Sequence, residues 1–130
     1  MRINKYLIIL LVGLSVVISG CRTNPVLNVE DSPVSVKTNS SNDVKKAIVR
    51  AGTSLGWRMK SINKSHIEGT LLLREHMAKV DIKYNRKTYS ITYKDSSPTL
   101  KYDGTNIHTN YNGWIQNLDR RIQSELSLLN

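Results

Sequence analysis

The side chains of this sequence that are best suited to chemistry are three histidines, Arg74 and several tyrosines. His66, His76 and His108 are its only imidazoles, and no two of them have the four-residue spacing of a helical metal site. We therefore expect no metal ligand and consider a binding pocket instead. The polar and aromatic residues that could converge on one pocket are Arg74, His76, Tyr84, Tyr89, Tyr93, Tyr102, Asp103, His108, Tyr111 and Asn112.

Two interpretations of this set remain open. On a small sheet that is covered on one face, tyrosine and histidine rings commonly pack while their polar tips form hydrogen bonds, so the set would be structural. In the other interpretation the set forms a pocket. Arg74 is then the expected anion binder, because a guanidinium can donate two parallel hydrogen bonds to a carboxylate or phosphate. The candidate binding residues are Arg74, His76, Tyr93, Tyr102, His108, Tyr111 and Trp114.

The element that opens the folded region is predicted to be a helix. Ser41 or Asn42 can cap it, and Asp43 is favourable in its first turn because the helix dipole is positive there. Gly56 fits its C-terminal stop. The apolar residues that share one helical face are Val44, Ala47, Ile48, Ala51 and Leu55.

Strand patterns follow the helix, and a change of phase locates one turn. One alternating set falls on odd positions and the next on even positions: Ile67, Gly69, Leu71 and Leu73, then His76, Ala78, Val80, Ile82 and Tyr84. Because the side chains of a strand alternate with period two, this slip requires a turn, which we place near Arg74-Glu75. A helix over residues 70–79 is the competing interpretation.

Further turns divide the rest of the strand region. Polar turns are predicted at Asn63-Lys64-Ser65 and at Asn85-Arg86-Lys87. Between Tyr89 and Tyr93 apolar and polar residues alternate, which is typical of a strand. Asp103-Gly104 is suited to a tight turn.

The C-terminal segment is predicted to form a helix from a Thr109 or Asn110 cap to the terminus. Its apolar face consists of Tyr111, Trp114, Ile115, Leu118, Ile122, Leu126 and Leu129. A helix, three to five antiparallel strands and a second helix define a two-layer α+β domain with both helices on one sheet face. We expect residues 42–130 to form this single globular domain.

The N-terminus has the organisation of an export signal. Arg2 and Lys5 precede the uncharged residues 6–18. A thirteen-residue helix would be about 20 Å long, which is shorter than the bilayer core of roughly 30 Å. The segment is therefore predicted to be a signal peptide instead of a permanent membrane span.

The apolar run ends in Ile18-Ser19-Gly20-Cys21, and this cysteine is the only one in the chain. The motif resembles the lipobox of bacterial lipoproteins, which implies removal of residues 1–20 and acylation of Cys21. An ordinary secretory signal with an incidental cysteine is the alternative. Two acyl chains would anchor the chain stably. Arg22 replaces the Asp that retains Gram-negative lipoproteins in the inner membrane, so the resemblance implies the outer membrane, facing the periplasm.

Residues 21–41 are predicted to be the lipidated cysteine and a flexible tether. The segment is rich in Ser, Thr and Asn, contains Pro25 and Pro33, and has no helical periodicity. Its valines, among them Val26 and Val29, are apolar enough for part of it to lie on the domain as an edge strand.

A second resemblance covers residues 44–122. Its signature is Tyr102-Asp103, Ile107-His108 and Tyr111-Asn112-Gly113-Trp114, and further matches are Gly56-Trp57 and residues 74–80 and 89–93. These motifs resemble a family of small uncharacterised proteobacterial lipoproteins. The chain departs from the family pattern in Ser97-Pro98-Thr99-Leu100. Thr99 precedes the leucine here, whereas the family has Asn at that position. Because the family has no agreed activity, the resemblance implies location and fold only.

Charge provides the remaining indication of a partner. The formal net charge is +9, and it is +7 without Arg2 and Lys5. Basic residues expected on the strand faces and on the first helix are Arg58, Lys60, Lys79, Lys83, Lys94, Lys45, Lys46 and Arg50. In an exported protein such a surface meets lipid head groups, lipopolysaccharide phosphates or peptidoglycan carboxylates instead of nucleic acid. A solvated face that maintains solubility is the alternative.

Two functional hypotheses follow. The preferred one is a non-enzymatic module, anchored to the membrane through Cys21, that engages an envelope protein or anionic polymer and needs no cofactor. Its rival is a small ligand-binding protein or hydrolase that uses His76, Arg74 and tyrosines as a pocket.

Overall fold

The computed structural model describes residues 22–35, 37 and 40–129. The predicted signal peptide and the predicted lipidation site Cys21 lie outside the described residues. The elements in chain order are β1 (Thr23–Pro25), β2 (Val29–Pro33), α1 (Ser41–Ser54), β3 (Arg58–Asn63), β4 (His66–Leu73), β5 (His76–Tyr84), β6 (Thr88–Ser96), a 3-10 turn (Pro98–Leu100), β7 (Asn106–His108) and α2 (Thr109–Leu126).

The described strands form two antiparallel sheets. The larger sheet has five strands in the order β2-β6-β5-β4-β3, and the smaller sheet pairs β1 with β7. Helices α1 and α2 pack against each other and enclose one hydrophobic core with a face of the larger sheet. The predicted two-layer α+β class is therefore confirmed. Large core residues with no exposed surface are Ile48, Ile67, Ile82, Ile91, Leu100, Ile107, Tyr111, Ile115, Leu118, Ile122 and Leu126.

The turn between β4 and β5 lies where the change of phase placed it. Leu73 pairs with His76, so Arg74 and Glu75 form a two-residue turn. Arg74 has a left-handed backbone with a φ of 55°, as tight hairpin turns require. The competing helix over residues 70–79 is wrong, because both sides of this turn are strands.

The other three predicted turns are present, but the turn at Asp103-Gly104 does not join two paired strands. Chain reversals join β3 to β4 and β5 to β6. At the third turn, the carboxylate of Asp103 accepts hydrogen bonds from the amides of Thr105 at 2.9 Å and Asn106 at 2.7 Å. These amide bonds, Asn106 foremost, hold the pKa of Asp103 below its ordinary value. The turn does not close a hairpin, because β7 pairs with β1.

Both helices begin at caps that differ from the predicted ones. Helix α1 is capped by Ser40, whose side chain accepts a hydrogen bond from the amide of Asn42 at 3.2 Å. Helix α2 is capped by His108, whose Nδ1 accepts one from the amide of Asn110 at 3.1 Å. Histidine is outside the usual set of capping residues, so sequence patterns favour its neighbours instead.

Residues 23–33 belong to the fold, which corrects that part of the tether predicted over residues 21–41. Strand β1 pairs with β7, and β2 forms an edge of the larger sheet beside β6. Val26, Leu27 and Val29 pack, half-buried, against the core. The polar composition of this segment suggested a linker. Composition alone cannot show that β6 and β7 each have a free edge with which a further strand can pair. The alternative of an edge strand is the correct one for β2.

A candidate binding site at the β4–β5 hairpin

The structure divides the predicted binding residues into two groups. One group surrounds an open pocket of about 390 Å³ between the β4–β5 turn and the start of α2. We call it the hairpin pocket, and it is lined by Leu73, Arg74, Glu75, His76, Asn110 and Trp114. His108 contacts the ring of His76 beside it. The tyrosines Tyr93, Tyr102 and Tyr111 form the second group.

His76 is the central ring of the first group. Its centre lies 5.9 Å from that of the Trp114 ring, with an angle of 54° between the planes. The His108 ring lies 6.1 Å away at 37°. All three side chains are half-buried. The tilted rings therefore support one another and still leave part of each surface open to a ligand.

The hydroxyl of Thr99 holds the imidazole of His76 in one orientation. Nδ1 of His76 lies 2.8 Å from Oγ1 of Thr99. The carbonyl of Glu75 lies 3.1 Å from Oγ1 of Thr99 and can only accept, so we assign the hydroxyl proton of Thr99 to this bond. Thr99 then accepts the proton of His76 Nδ1 and that of the Ser97 hydroxyl, whose Oγ lies 2.8 Å away. In the neutral imidazole, Nε2 then carries the lone pair and acts as an acceptor.

His108 has the opposite assignment of donor and acceptor. Because its Nδ1 accepts the amide proton of Asn110, the neutral ring carries its proton on Nε2. The two imidazoles therefore present one acceptor and one donor nitrogen.

Arg74 supplies positive charge at the rim of the pocket. Its side chain is exposed and takes part in none of the ion pairs among the described residues. Glu75 follows it and adds a carboxylate to the same rim. The guanidinium can grip a phosphate or carboxylate, while Trp114 and Leu73 offer apolar surface to the rest of the ligand.

The second group is a packed aromatic cluster. The ring centres of Tyr93 and Tyr102 are 3.9 Å apart, and Tyr111 meets Tyr93 edge-on at 5.7 Å. Tyr111 has no exposed surface, and its hydroxyl finds no hydrogen-bond partner in the part of the chain that the structure describes. Burial raises the pKa of the Tyr111 phenol. The structural interpretation of the tyrosines is therefore correct for Tyr111, which does not face a ligand.

The remaining polar residues of the predicted set serve the fold. Tyr89 donates a short hydrogen bond to Asp119 and accepts one from Gln123 at 2.8 Å. Asn112 ties the N-terminal segment to α2, and the Asp103 carboxylate shapes its turn. Tyr84 is buried with an unpartnered hydroxyl, and burial raises its pKa.

The open face of the larger sheet carries the predicted strand lysines, but two of them are paired. The amine of Lys94 donates to Glu68 at 2.7 Å and lies 3.5 Å from Asp81, while that of Lys79 lies 3.8 Å from Glu68. The hydrogen bond from Lys94 lowers the pKa of Glu68. This part of the face is therefore largely neutralised, which favours the interpretation as a solvated surface.

A second pocket of about 330 Å³ lies on the polar side of the fold. His66 lines it, and Nε2 of this residue lies 2.6 Å from a carboxylate oxygen of Asp81. The other lining residues are Asp31, Asn63, Ser65, Lys83, Tyr84, Asn85, Thr88 and Ser90. They come from β2, β3, β5, β6 and two separate turns, so no local sequence motif indicates this pocket.

Two exposed leucines at the hairpin pocket were not among the predicted binding residues. Leu72 is 55% exposed and Leu73 is 46% exposed at the end of β4. Neighbouring residues of a strand point to opposite faces. The sequence signal is the run of three leucines from Leu71, since a sheet covered on one face cannot bury all of them.

One motif with a chemical association is structural here. Gly52-Thr53-Ser54-Leu55-Gly56 fits the Gly-x-Ser-x-Gly pattern of hydrolase nucleophiles, which belongs to a turn between a strand and a helix. In this chain the segment ends α1, and Ser54 donates to the carbonyl of Ala51 at 2.8 Å. The glycines serve packing and termination, since Gly56 has a φ of 89°.

Comparisons with protein-family models, with curated proteins and with solved structures found no match for this chain. Among the residues described, no three His, Cys, Asp or Glu side chains gather as they would around a metal ion. No helix in the described part of the chain is long and apolar enough to span a bilayer.

Proposed function

We propose that this protein is a lipid-anchored, non-enzymatic module of the outer membrane, facing the periplasm. Its hairpin pocket holds a phosphate or carboxylate group of an envelope component, either a protein or an anionic polymer. The proposal depends on Arg74, whose guanidinium has no ion pair among the described residues and lines an open pocket together with Trp114. An exposed arginine next to an aromatic ring is typical of binding surfaces.

The anchor rests on the N-terminal sequence. Ser19-Gly20-Cys21 resembles the end of a lipobox, and Arg22 takes the place of the retention signal of the inner membrane. The thiol of Cys21 would form the thioether that carries diacylglycerol. Two or three acyl chains are enough for stable membrane attachment.

The hydrogen bonds of His76 do not activate Thr99 as a nucleophile. A histidine that activates a hydroxyl nucleophile must accept its proton. Here Thr99 donates to the carbonyl of Glu75 and accepts from His76 instead. The hydrolase hypothesis would regain support if His76→Ala abolished a catalytic turnover while the circular dichroism spectrum stayed native.

Photo-crosslinking in living cells tests the pocket. A photoreactive amino acid replaces Asn110, which is exposed and lines the pocket, or Gln116, which is exposed elsewhere on α2. We expect an adduct with an envelope component from position 110 only. Arg74→Gln should reduce its yield about tenfold, because a charge-assisted hydrogen bond contributes roughly 1.5–3 kcal/mol.

The matched control is Arg58→Gln, which removes the same charge from β3 and should leave the yield unchanged. Arg58 is exposed and belongs to none of the ion pairs among the described residues. Equal adducts from positions 110 and 116, or equal losses in the two arginine variants, would contradict a specific pocket.

A further inference from the structure

The described chain begins beside the hairpin pocket. The carbonyl of Arg22 accepts a hydrogen bond from the amide of Thr109 at 3.1 Å, and Thr23 pairs with His108. Thr109 directly precedes Asn110, which lines the pocket. Cys21 is covalently joined to Arg22, and consecutive Cα atoms are about 3.8 Å apart. An acyl chain on Cys21 would therefore leave the domain next to this pocket, without an intervening tether.

The end of the hairpin that lies there is apolar on both faces. Leu72 and Leu73 are consecutive residues of β4, so they point to opposite sides of the hairpin, and both are about half exposed. Trp114 lines the adjoining pocket and is half-buried. Tryptophan is enriched where membrane hydrocarbon meets water, because its ring is apolar and its N–H is polar.

The charge of this end favours a phospholipid surface, because two arginines outnumber the carboxylate of Glu75. Arg22 and Arg74 are both exposed, and neither takes part in an ion pair among the described residues. A guanidinium binds phosphate oxygens with two hydrogen bonds and also tolerates partial burial at an interface. Leucine, tryptophan and arginine together match the acyl, interfacial and phosphate layers of a lipid leaflet.

We propose that the hairpin end, defined as Leu72, Leu73, Arg74 and Trp114, rests on the phospholipid leaflet that holds the acyl chains of Cys21. This proposal rests on the anchor of the proposed function, because it requires an acylated Cys21. In place of a protein or an anionic polymer, it names a phospholipid head group as the ligand of the hairpin pocket, with its phosphate on Arg74. The membrane contact then fixes the orientation of the domain.

Direct attachment makes even a weak contact persistent. A flexible linker of 20 residues would allow the domain to explore distances on the order of 25 Å. With the chain paired from Thr23 onwards, the hairpin end stays within reach of the leaflet, and its effective concentration there is high. Under this condition, two exposed leucines and one arginine are sufficient to keep the hairpin end on the leaflet.

Tryptophan fluorescence in vesicles tests the contact. The acylated full-length mature protein is reconstituted into phosphatidylcholine vesicles with or without bromine on the acyl chains. Trp57 is only 3% exposed, whereas Trp114 is at the hairpin end. We expect brominated lipid to quench at least half of the Trp114 emission. The Trp114→Phe protein, which retains Trp57 alone, should show little quenching.

A double variant, Leu72→Ser and Leu73→Ser, probes the apolar contact without disturbing the core. It should remain in the vesicles through its acyl chains but lose most of the quenching, and Arg74→Gln should lose part of it. The control Ile62→Ser removes an apolar side chain that is 44% exposed on β3, and should quench like the unchanged protein.

The outcomes separate this inference from the proposed function. Absence of quenching in an acylated, vesicle-bound protein would overturn the membrane contact. If crosslinks from position 110 still depended on Arg74 in that case, the pocket would serve an envelope protein or polymer instead. Mass spectrometry of the same sample shows whether Cys21 is acylated, and an unmodified Cys21 would overturn both the anchor and the contact.

Discussion

The amide of Leu27 donates a hydrogen bond of 2.9 Å to the side-chain oxygen of Asn112, which is 85 residues away in the sequence. The nitrogen of the same side chain donates to the carbonyl of Pro25, also at 2.9 Å. One amide group thus joins the N-terminal segment to the first turn of α2. It keeps the start of the described chain next to the hairpin pocket.

Removing this amide should loosen the N-terminal segment. We expect Asn112→Ala to lower the free energy of unfolding by about 1–3 kcal/mol, because two backbone groups lose their partner. Hydrogen exchange at Leu27 should accelerate more than at residues in β5. Asn110→Ala on the same helix is the control, and an equal loss in both variants would contradict the assignment to Asn112.

Two buried tyrosines should respond in different ways to loss of their hydroxyl groups. Tyr89 bonds to Asp119 and Gln123, so Tyr89→Phe should cost about 1–3 kcal/mol. Tyr111 has an unpartnered hydroxyl, so Tyr111→Phe should leave stability unchanged or raise it by up to about 1 kcal/mol. Urea unfolding of both variants provides the measurement, and the reverse order would show that these contacts are misassigned.

Stability should decrease in alkaline solution. Burial, and for Tyr89 also the bond to Asp119, raises the phenol pKa of Tyr89 and Tyr111. The folded protein therefore retains protons that the unfolded chain releases above about pH 10. This stabilisation is fully present below that pH and is lost as pH rises through the folded pKa. The urea concentration at the unfolding midpoint should decline as the pH rises, and phenolate absorbance reports the ionisation of the tyrosines. A midpoint that stays constant would contradict this prediction.

The two pocket histidines should be opposite tautomers when neutral. The bond to Thr99 predicts a proton on Nδ1 of His76, and the cap of α2 predicts one on Nε2 of His108. Nitrogen-15 chemical shifts of the imidazoles distinguish the two forms. Thr99→Val should shift His76 towards the other tautomer without affecting His108. Identical tautomers in the unchanged protein would remove the donor and acceptor pair from the site.

Local periodicity predicted the central hairpin and α2, because these elements bury one regular face. The phase change between Leu73 and His76 located a turn to the residue. For the N-terminal strands a tether was the preferred prediction and an edge strand the alternative, because β1 and β2 pair with free edges of β7 and β6 that form only in the fold. Among the site residues, Arg74, His76, His108 and Trp114 do converge.

Other parts of the site depend on packing that no local pattern encodes. Spacing placed Tyr111 on the apolar face of α2, but it could not show that the neighbouring Tyr93 would close over it. The capping role of His108 likewise depends on the strand that ends there. The exposed leucines were visible in the sequence, although only the fold identifies which surface they extend.

Both the anchor and the membrane contact depend on Cys21, so the decisive measurement is the mass of the protein extracted from envelope membranes. We expect residues 1–20 to be absent and Cys21 to be the N-terminal residue, with diacylglycerol on its sulfur. A chain that retains residues 1–20, or that begins elsewhere with an unmodified thiol, would contradict it.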